Sequence, residues 1–196
     1  MNDQFFTSNI ILEDNTVRLE PMAPHHFAYL LPVALDKDLW QFTLNQMHRE
    51  ADFKKYFDAA LEESAAGKSY AFVIYDKQTK RYCGSTRFLN IDFKHKRLEI
   101  GSTWIASYLH GKNFNRHCKF LLLQYCFETM QLNRVELKTS LLNLRSQKAM
   151  LNIGAVKEGI FRNHMINDDG SIRHSVFFSF IKEEWPSIKQ QHFNFT

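Results

Sequence analysis

Two clusters of polar residues in this chain have types and spacing that could do chemistry. The first is His110-Gly111-Lys112-Asn113-Phe114-Asn115-Arg116, a polar turn that runs into apolar residues at Phe114, Cys118, Leu121, Leu122, Tyr125, Cys126 and Met130. That spacing marks one face of an amphipathic helix. The turn therefore feeds a helix N-terminus, where backbone N–H groups lack intrahelical partners at the positive end of the helix dipole. Such a terminus binds phosphate. Lys112 and Arg116 would add charge, although a solvated basic face accounts for them equally well. The second cluster, Asn143-Leu144-Arg145-Ser146, opens another helix that closes at Asn152-Ile153-Gly154-Ala155. Asn143 is a good N-cap, and capping alone is a sufficient reason for an Asn and a Ser at such a position. His164 and His174 face each other across a predicted hairpin, but no carboxylate or cysteine stands near them at ligand spacing, so no metal is expected.

These residues need elements to position them. Residues 98–105 have the β-branched and aromatic content of a half-buried strand and lead directly into the first turn. Upstream, residues 16–20 alternate as a short strand ended by Pro21, and a helix starts at Pro24. Pro32 lacks an N–H and is expected to break or kink that helix, with a second helical piece from Asp36 or Asp38. Residues 51–66 carry Phe53, Tyr56, Phe57, Ala60 and Leu61 at helical spacing, and Gly67 stops them. Residues 70–75 and 82–89 form a hairpin around residues 76–80, and residues 92–96 turn the chain into the strand at Leu98. After the central helix, residues 134–139 alternate as a strand, and residues 155–166 and 172–181 form a last hairpin around Asn167-Asp168-Asp169-Gly170.

The chain has 196 residues, 44% of them hydrophobic and 14% aromatic, which fits one domain with a substantial core. Its net charge of +4 suits a small polyanionic ligand. No long basic run points to a nucleic-acid face. Cys83, Cys118 and Cys126 lie in apolar patterns without paired spacings and read as reduced core residues. Residues 1–9 lack the basic start and apolar run of a secretory signal, and no window reaches the roughly 18 apolar residues of a membrane span. A cytoplasmic location without membrane attachment is expected.

The order of strand, polar turn, helix, strand and Asn-headed helix, followed by Val156-Lys157-Glu158-Gly159-Ile160-Phe161-Arg162, resembles the GNAT N-acetyltransferase family. Within it, the chain looks like the branch that includes the ribosomal-protein N-terminal acetyltransferases. The resemblance runs from Val17-Arg18-Leu19-Glu20-Pro21 to Glu184-Trp185 and treats residues 1–196 as a single domain, with residues 1–9 left outside its ordered body. The family's acetyl-CoA turn reads Arg or Gln, two residues, Gly, one residue, then Gly or Ala; here those positions hold His110, Asn113 and Asn115. Asparagine tolerates positive φ, so Asn113 can hold a turn that glycine would hold.

The resemblance implies an α/β (α+β) fold with a mixed, mostly antiparallel sheet of six to seven strands, splayed at the centre and flanked by helices. Acetyl-CoA would enter between the diverging strands. Thr103, Trp104 and Ile105 would offer backbone groups to the pantetheine arm and polarise the thioester carbonyl. The turn of His110, Gly111, Lys112, Asn113, Phe114, Asn115 and Arg116 would hold the pyrophosphate. Asn143 would touch the cofactor, and Ser146, near the thioester sulfur, would deliver a proton to the departing thiolate. Glu99 would take a proton from the incoming ammonium through water, with an ion pair to Arg97 or Arg87 as its competing role. Trp40 and Phe42 are candidates for the acceptor groove and, equally, for the core.

The implied activity is acetyl transfer from acetyl-CoA, as co-substrate, to a protein N-terminal or small-molecule amine, with no metal. A catalytically idle acyl-CoA-binding module and an RNA-associated protein are the alternatives. Nucleic acid is expected only as part of a ribosomal or tRNA-linked substrate, and the aromatic C-terminal strands are candidates for a homodimer contact.

Overall fold

The computed structural model describes residues 2–195, with side chains from Phe5 onward. Eight strands form one sheet: β1 (Leu12–Glu13), β2 (Val17–Pro21), β3 (Tyr70–Asp76), β4 (Arg81–Asp92), β5 (Arg97–Ile105), β6 (Arg134–Ser140), β7 (Val156–Ile166) and β8 (Ile172–Ile181). Their order is β1-β2-β3-β4-β5-β6-β8-β7, and every pairing is antiparallel except β5 with β6. Six α-helices accompany them: α1 (Asn2–Thr7), α2 (Phe27–Ala34), α3 (Glu50–Ala65), α4 (Phe114–Gln124), α5 (Leu144–Asn152) and α6 (Trp185–His192). The strand count exceeds the expected six to seven because β1, two residues long, pairs Leu12 with Leu19.

Apart from β7, which is largely exposed, the sheet packs apolar residues on both faces, and strand alternation divides them between the two. Phe72, Ile74, Phe88, Leu98, Ile100, Val176 and Phe178 pack with Cys118 and Leu122 of α4 and with Cys126 just beyond it. Ala71, Val73 and Trp104 face the other way, against Leu30, Trp40, Phe53 and Phe57 from α2, α3 and the segment between them. A π-helical turn, Tyr125–Thr129, carries the buried face of α4 onward to Met130. Among the described residues, no helix is long and apolar enough to cross a membrane.

One local expectation is corrected. Pro32 does not break α2, which continues to Ala34, and the N–H of Leu35 still reaches the Leu31 carbonyl at 3.1 Å. A proline this close to a helix end sacrifices one hydrogen bond in a short element whose Leu30 and Ala34 are fully buried. Residues 2–7 are helical, and Phe5 packs its ring on Tyr70 and Phe93, so an aromatic pair ties this segment to the body. Met1 and Thr196 lie outside the described residues.

The feature that makes a site is the parting of β5 from β6. Their pairing ends at Glu99 with Glu136, and from Gly101 onward the edge of β5 that faces β6 has no strand partner among the described residues. A bulge reinforces the divergence. Ser85 opposes Trp104 and Arg87 opposes Gly101, so Thr86 faces both Ser102 and Thr103, and Ser102 adopts φ +48. Gly84 lets β4 approach closely here, because a Cβ at that position would lie 2.2 Å from the Trp104 carbonyl oxygen.

Candidate active site

A cavity of about 460 Å³ opens where β5 leaves β6, walled by the head of α4 on one side and by α5 on the other. Thr103, Trp104 and Ile105 line it from β5, His110, Gly111, Asn113, Phe114, Asn115 and Arg116 from the turn, and Asn143 and Ser146 from α5. Three separate stretches of sequence thus converge on one space.

The turn is built to present N–H groups. Gly111 adopts φ +76, and Asn113, the N-cap of α4, sits in the left-handed region at φ +60 without capping through its side chain. Among the described residues, the N–H groups of Gly111, Asn113, Phe114 and Asn115 find no backbone carbonyl in hydrogen-bond geometry. The Asn115 Oδ1 is buried without a partner, and as a carbonyl oxygen it accepts and adds no donor for an anion. The open space around Gly111, where a Cβ would meet nothing within 4 Å, leaves room for a bulky anion. The unpaired N–H groups and the open space at Gly111 fit a pyrophosphate.

His110 braces the turn. Its Nε2 lies 2.9 Å from the Ile105 carbonyl oxygen and so donates to it, while its Nδ1 accepts from the Arg145 guanidinium at 3.2 Å. Burial first, and then the Arg145 charge, hold the imidazole below the usual histidine value. Arg116 is held by the C-terminal segment: its guanidinium donates to the His192 carbonyl and lies over the rings of Phe193 and Phe195. Lys112 is exposed, outside the cavity lining.

On α5, the Asn143 side chain accepts from the Ser146 N–H at 3.0 Å, so it caps the helix while also lining the cavity. That bond fixes the first turn, and Ser146 joins Asn143 in the cavity lining.

Glu99 is buried on the opposite sheet face from α4. Its carboxylate accepts from Lys138 Nζ and from Asn90 Nδ2, each at 2.9 Å. The arginines weighed as its partners are engaged elsewhere: Arg97 with Asp92 and Glu136, Arg87 with Glu63. Trp40 is a core residue, 5% exposed, with its Nε1 donating to the Ala34 carbonyl at 2.7 Å and its ring 5.5 Å from that of Trp104. Phe42 is half-buried beside it, and its carbonyl accepts from Arg173 Nη1 at 2.9 Å. Leu39 and Thr43, rather than Trp40 and Phe42, line the cavity from this segment.

His164 and His174 line a shallow cleft of about 720 Å³ at the β7 bulge but take separate partners, Ser175 Oγ and the Asn163 N–H. Among the described residues, no three His, Cys, Asp or Glu side chains gather closely enough to hold a metal.

Lys119 lines the cavity without having been singled out. It is 6% exposed, and its Nζ donates to Thr103 Oγ1 at 3.1 Å, which in turn lies 2.7 Å from Thr86 Oγ1. Burial pulls its pKa down to about 8, against smaller opposing effects of Cys118 and Glu99. Its signal in the sequence is a lysine three residues before Leu122 and seven before Cys126, on the buried stripe of the helix.

Residues 16–156 match the model of the acetyltransferase (GNAT) domain. The chain is 32% identical over 107 residues to YdaF of Bacillus subtilis (strain 168), whose name makes it a candidate ribosomal N-acetyltransferase. That match covers 55% of this chain and 57% of YdaF, so it spans somewhat more than half of each. The crystal structure of a GCN5-related N-acetyltransferase from Brucella melitensis superposes with a TM-score of 0.86 at 27% identity, covering 93% of this chain and 83% of that one. Mycobacterium smegmatis RimJ, solved in complex with CoA-disulfide, shares the fold at a TM-score of 0.74 and 20% identity, with 91% and 88% of the two chains covered. With the family's domain model spanning the parted strands, the anion-ready turn and the Asn143-headed helix, this chain belongs to the GNAT acetyltransferase family.

Proposed function

We propose that the chain moves an acetyl group from acetyl-CoA to a primary amine, a protein N-terminus or a small-molecule amine, by direct attack in a ternary complex. The observation that carries this reading is that the unpaired edge of β5 and the unpaired N–H groups at the head of α4 open into one cavity. Acetyl-CoA supplies an activated thioester and a pyrophosphate by which to hold it. The N–H groups of the turn bind that pyrophosphate, with Lys112 at its exposed rim. Backbone N–H groups of Thr103 to Ile105 polarise the thioester carbonyl, in the manner of an oxyanion site. Ser146 delivers a proton to the departing thiolate.

Glu99 takes a proton from the acceptor ammonium through water, leaving a neutral amine to attack. Lys138 and Asn90 hold that carboxylate at one oxygen, which leaves the other to face water. The name of YdaF brings a ribosomal amine into the acceptor class. Three buried free thiols suit a reducing compartment, and we assign the reaction to the cytoplasm.

The test is an amine panel, including peptide N-termini, amino acids and polyamines, with detection of released CoA thiol. Release that depends on a particular amine is expected. Acetyl-CoA binding without release for any amine would favour an idle acyl-CoA-binding module.

A further inference from the structure

Strand alternation places one cationic side chain under the acceptor side of the sheet without a counter-charge. On β8, Val176 and Phe178 point to the core beneath α4, so Arg173, Ser175 and Phe177 share the opposite face. Phe177 pairs in register with Lys138 of β6, the residue bound to Glu99. Arg173, Lys138 and Glu99 therefore face the same side, and Glu99 is the carboxylate whose field reaches Arg173. His164 on β7 faces them too, lowered in pKa by burial and then by the charges of Lys138 and Arg173.

The cations on this face of the sheet are not equally satisfied. Arg87 pairs with Glu63 and lies over the Tyr56 ring, and Lys138 holds Glu99. Arg173 makes one hydrogen bond, to the Phe42 carbonyl, while its Nε is buried with no partner. Among the described residues, no carboxylate lies within ion-pair distance of it. A half-buried guanidinium with an unused donor is a site for a planar anion, which it can grip through two N–H groups.

The segment after Trp40 is bonded to the tip of the β7–β8 hairpin: the Asp168 N–H donates to the Leu44 carbonyl at 3.0 Å, and the Gln46 N–H to Asp168 Oδ2 at 3.2 Å. The Phe42 carbonyl that Arg173 binds belongs to this same span, so Arg173 lies where the segment after Trp40 meets the hairpin.

We propose that the acceptor carries a carboxylate a few bonds from its reacting amine, and that Arg173 binds it. This rests on the acetyl-transfer reading above. The same chemistry comes from two sources, a free amino acid or a peptide whose N-terminal residues include an acidic side chain. A polyamine is disfavoured, because its second ammonium would meet the Arg173 charge.

Matched acceptors test it: an amino acid against its amide, and an N-terminal Ser-Glu peptide against its Ser-Gln counterpart. The carboxylate member of at least one pair is expected to have a kcat/KM about tenfold or more above its partner, mainly through KM, in keeping with a charged hydrogen-bonded contact. Which pair discriminates identifies the source. R173Q should abolish the ratio while leaving the neutral acceptor within about twofold of wild type, and R173K should keep part of it. Equal rates within both pairs, or an R173Q variant that slows both members alike, would overturn the proposal while leaving acetyl transfer intact. No acetyl transfer to any acceptor would overturn the acetyl-transfer reading and this one together.

Discussion

Lys119 carries a cost that pH can reveal. Its pKa is about 8 in the fold against 10.5 for a free lysine, because burial disfavours the ammonium. Between those values the unfolded chain binds more protons than the folded one, so this residue makes stability rise with pH across that window. Below about pH 8 the penalty is fully present. Lys119→Met should therefore raise Tm at about pH 7, and the gain should shrink as pH approaches about 10. A gain independent of pH in thermal denaturation would trace the effect to packing instead.

Two more residues act through the reaction. Ser146→Ala should lower kcat on the order of ten- to a thousandfold with little change in acetyl-CoA affinity, as for a group used in the transition state. An unaltered kcat would leave Ser146 as a helix-start residue. Glu99→Gln should depress kcat/KM most below neutral pH, where the amine is protonated. A pH profile parallel to wild type and merely scaled would assign Glu99 to holding structure or substrate. At this scale the sequence is only partly legible. The residue types at the head of α5 point equally to capping and to chemistry, and Asn143 does cap while lining the cavity. The partner of Glu99 is Lys138, 39 positions away, and only the β5–β6 pairing brings the two strands together.

Elements set these side chains in place through backbone geometry. The β4–β5 contact at Gly84 leaves no room for a side chain. Gly84→Ala should cost roughly 1–3 kcal/mol, the usual range for overpacking, when measured by urea unfolding. A loss below a few tenths would mean that the strands part freely there. The helices and hairpins are legible because their apolar residues repeat with the helical or strand period, as in Phe53, Phe57 and Ala60 of α3, all buried. The bulge at Ser102 is not legible in that way. It depends on which β4 residue opposes which β5 residue, and no local period encodes that register. Pro32 misleads for a related reason, since tertiary burial of Leu30 and Ala34 outweighs one lost hydrogen bond.

At the scale of the whole molecule, the single parallel pairing in an otherwise antiparallel sheet creates the site. Antiparallel pairing holds β4 to β5 and β8 to β6 on either side, while β5 and β6 share three residue pairs and then diverge. The order of elements is readable from the chain, but the width and lining of the opening depend on α4 and α5 packing on separate flanks of it. The turn from Gly111 to Arg116 is the part of that opening where the coenzyme reading is most exposed to failure. Titration calorimetry of acetyl-CoA against the wild-type chain and Gly111→Asp tests it directly, because the substitution adds a side chain and a negative charge where the pyrophosphate is to bind. Micromolar binding by the wild type, weakened about tenfold or more in the variant, is the expected result. Equal affinity in the two proteins, or no binding by either, would contradict the account.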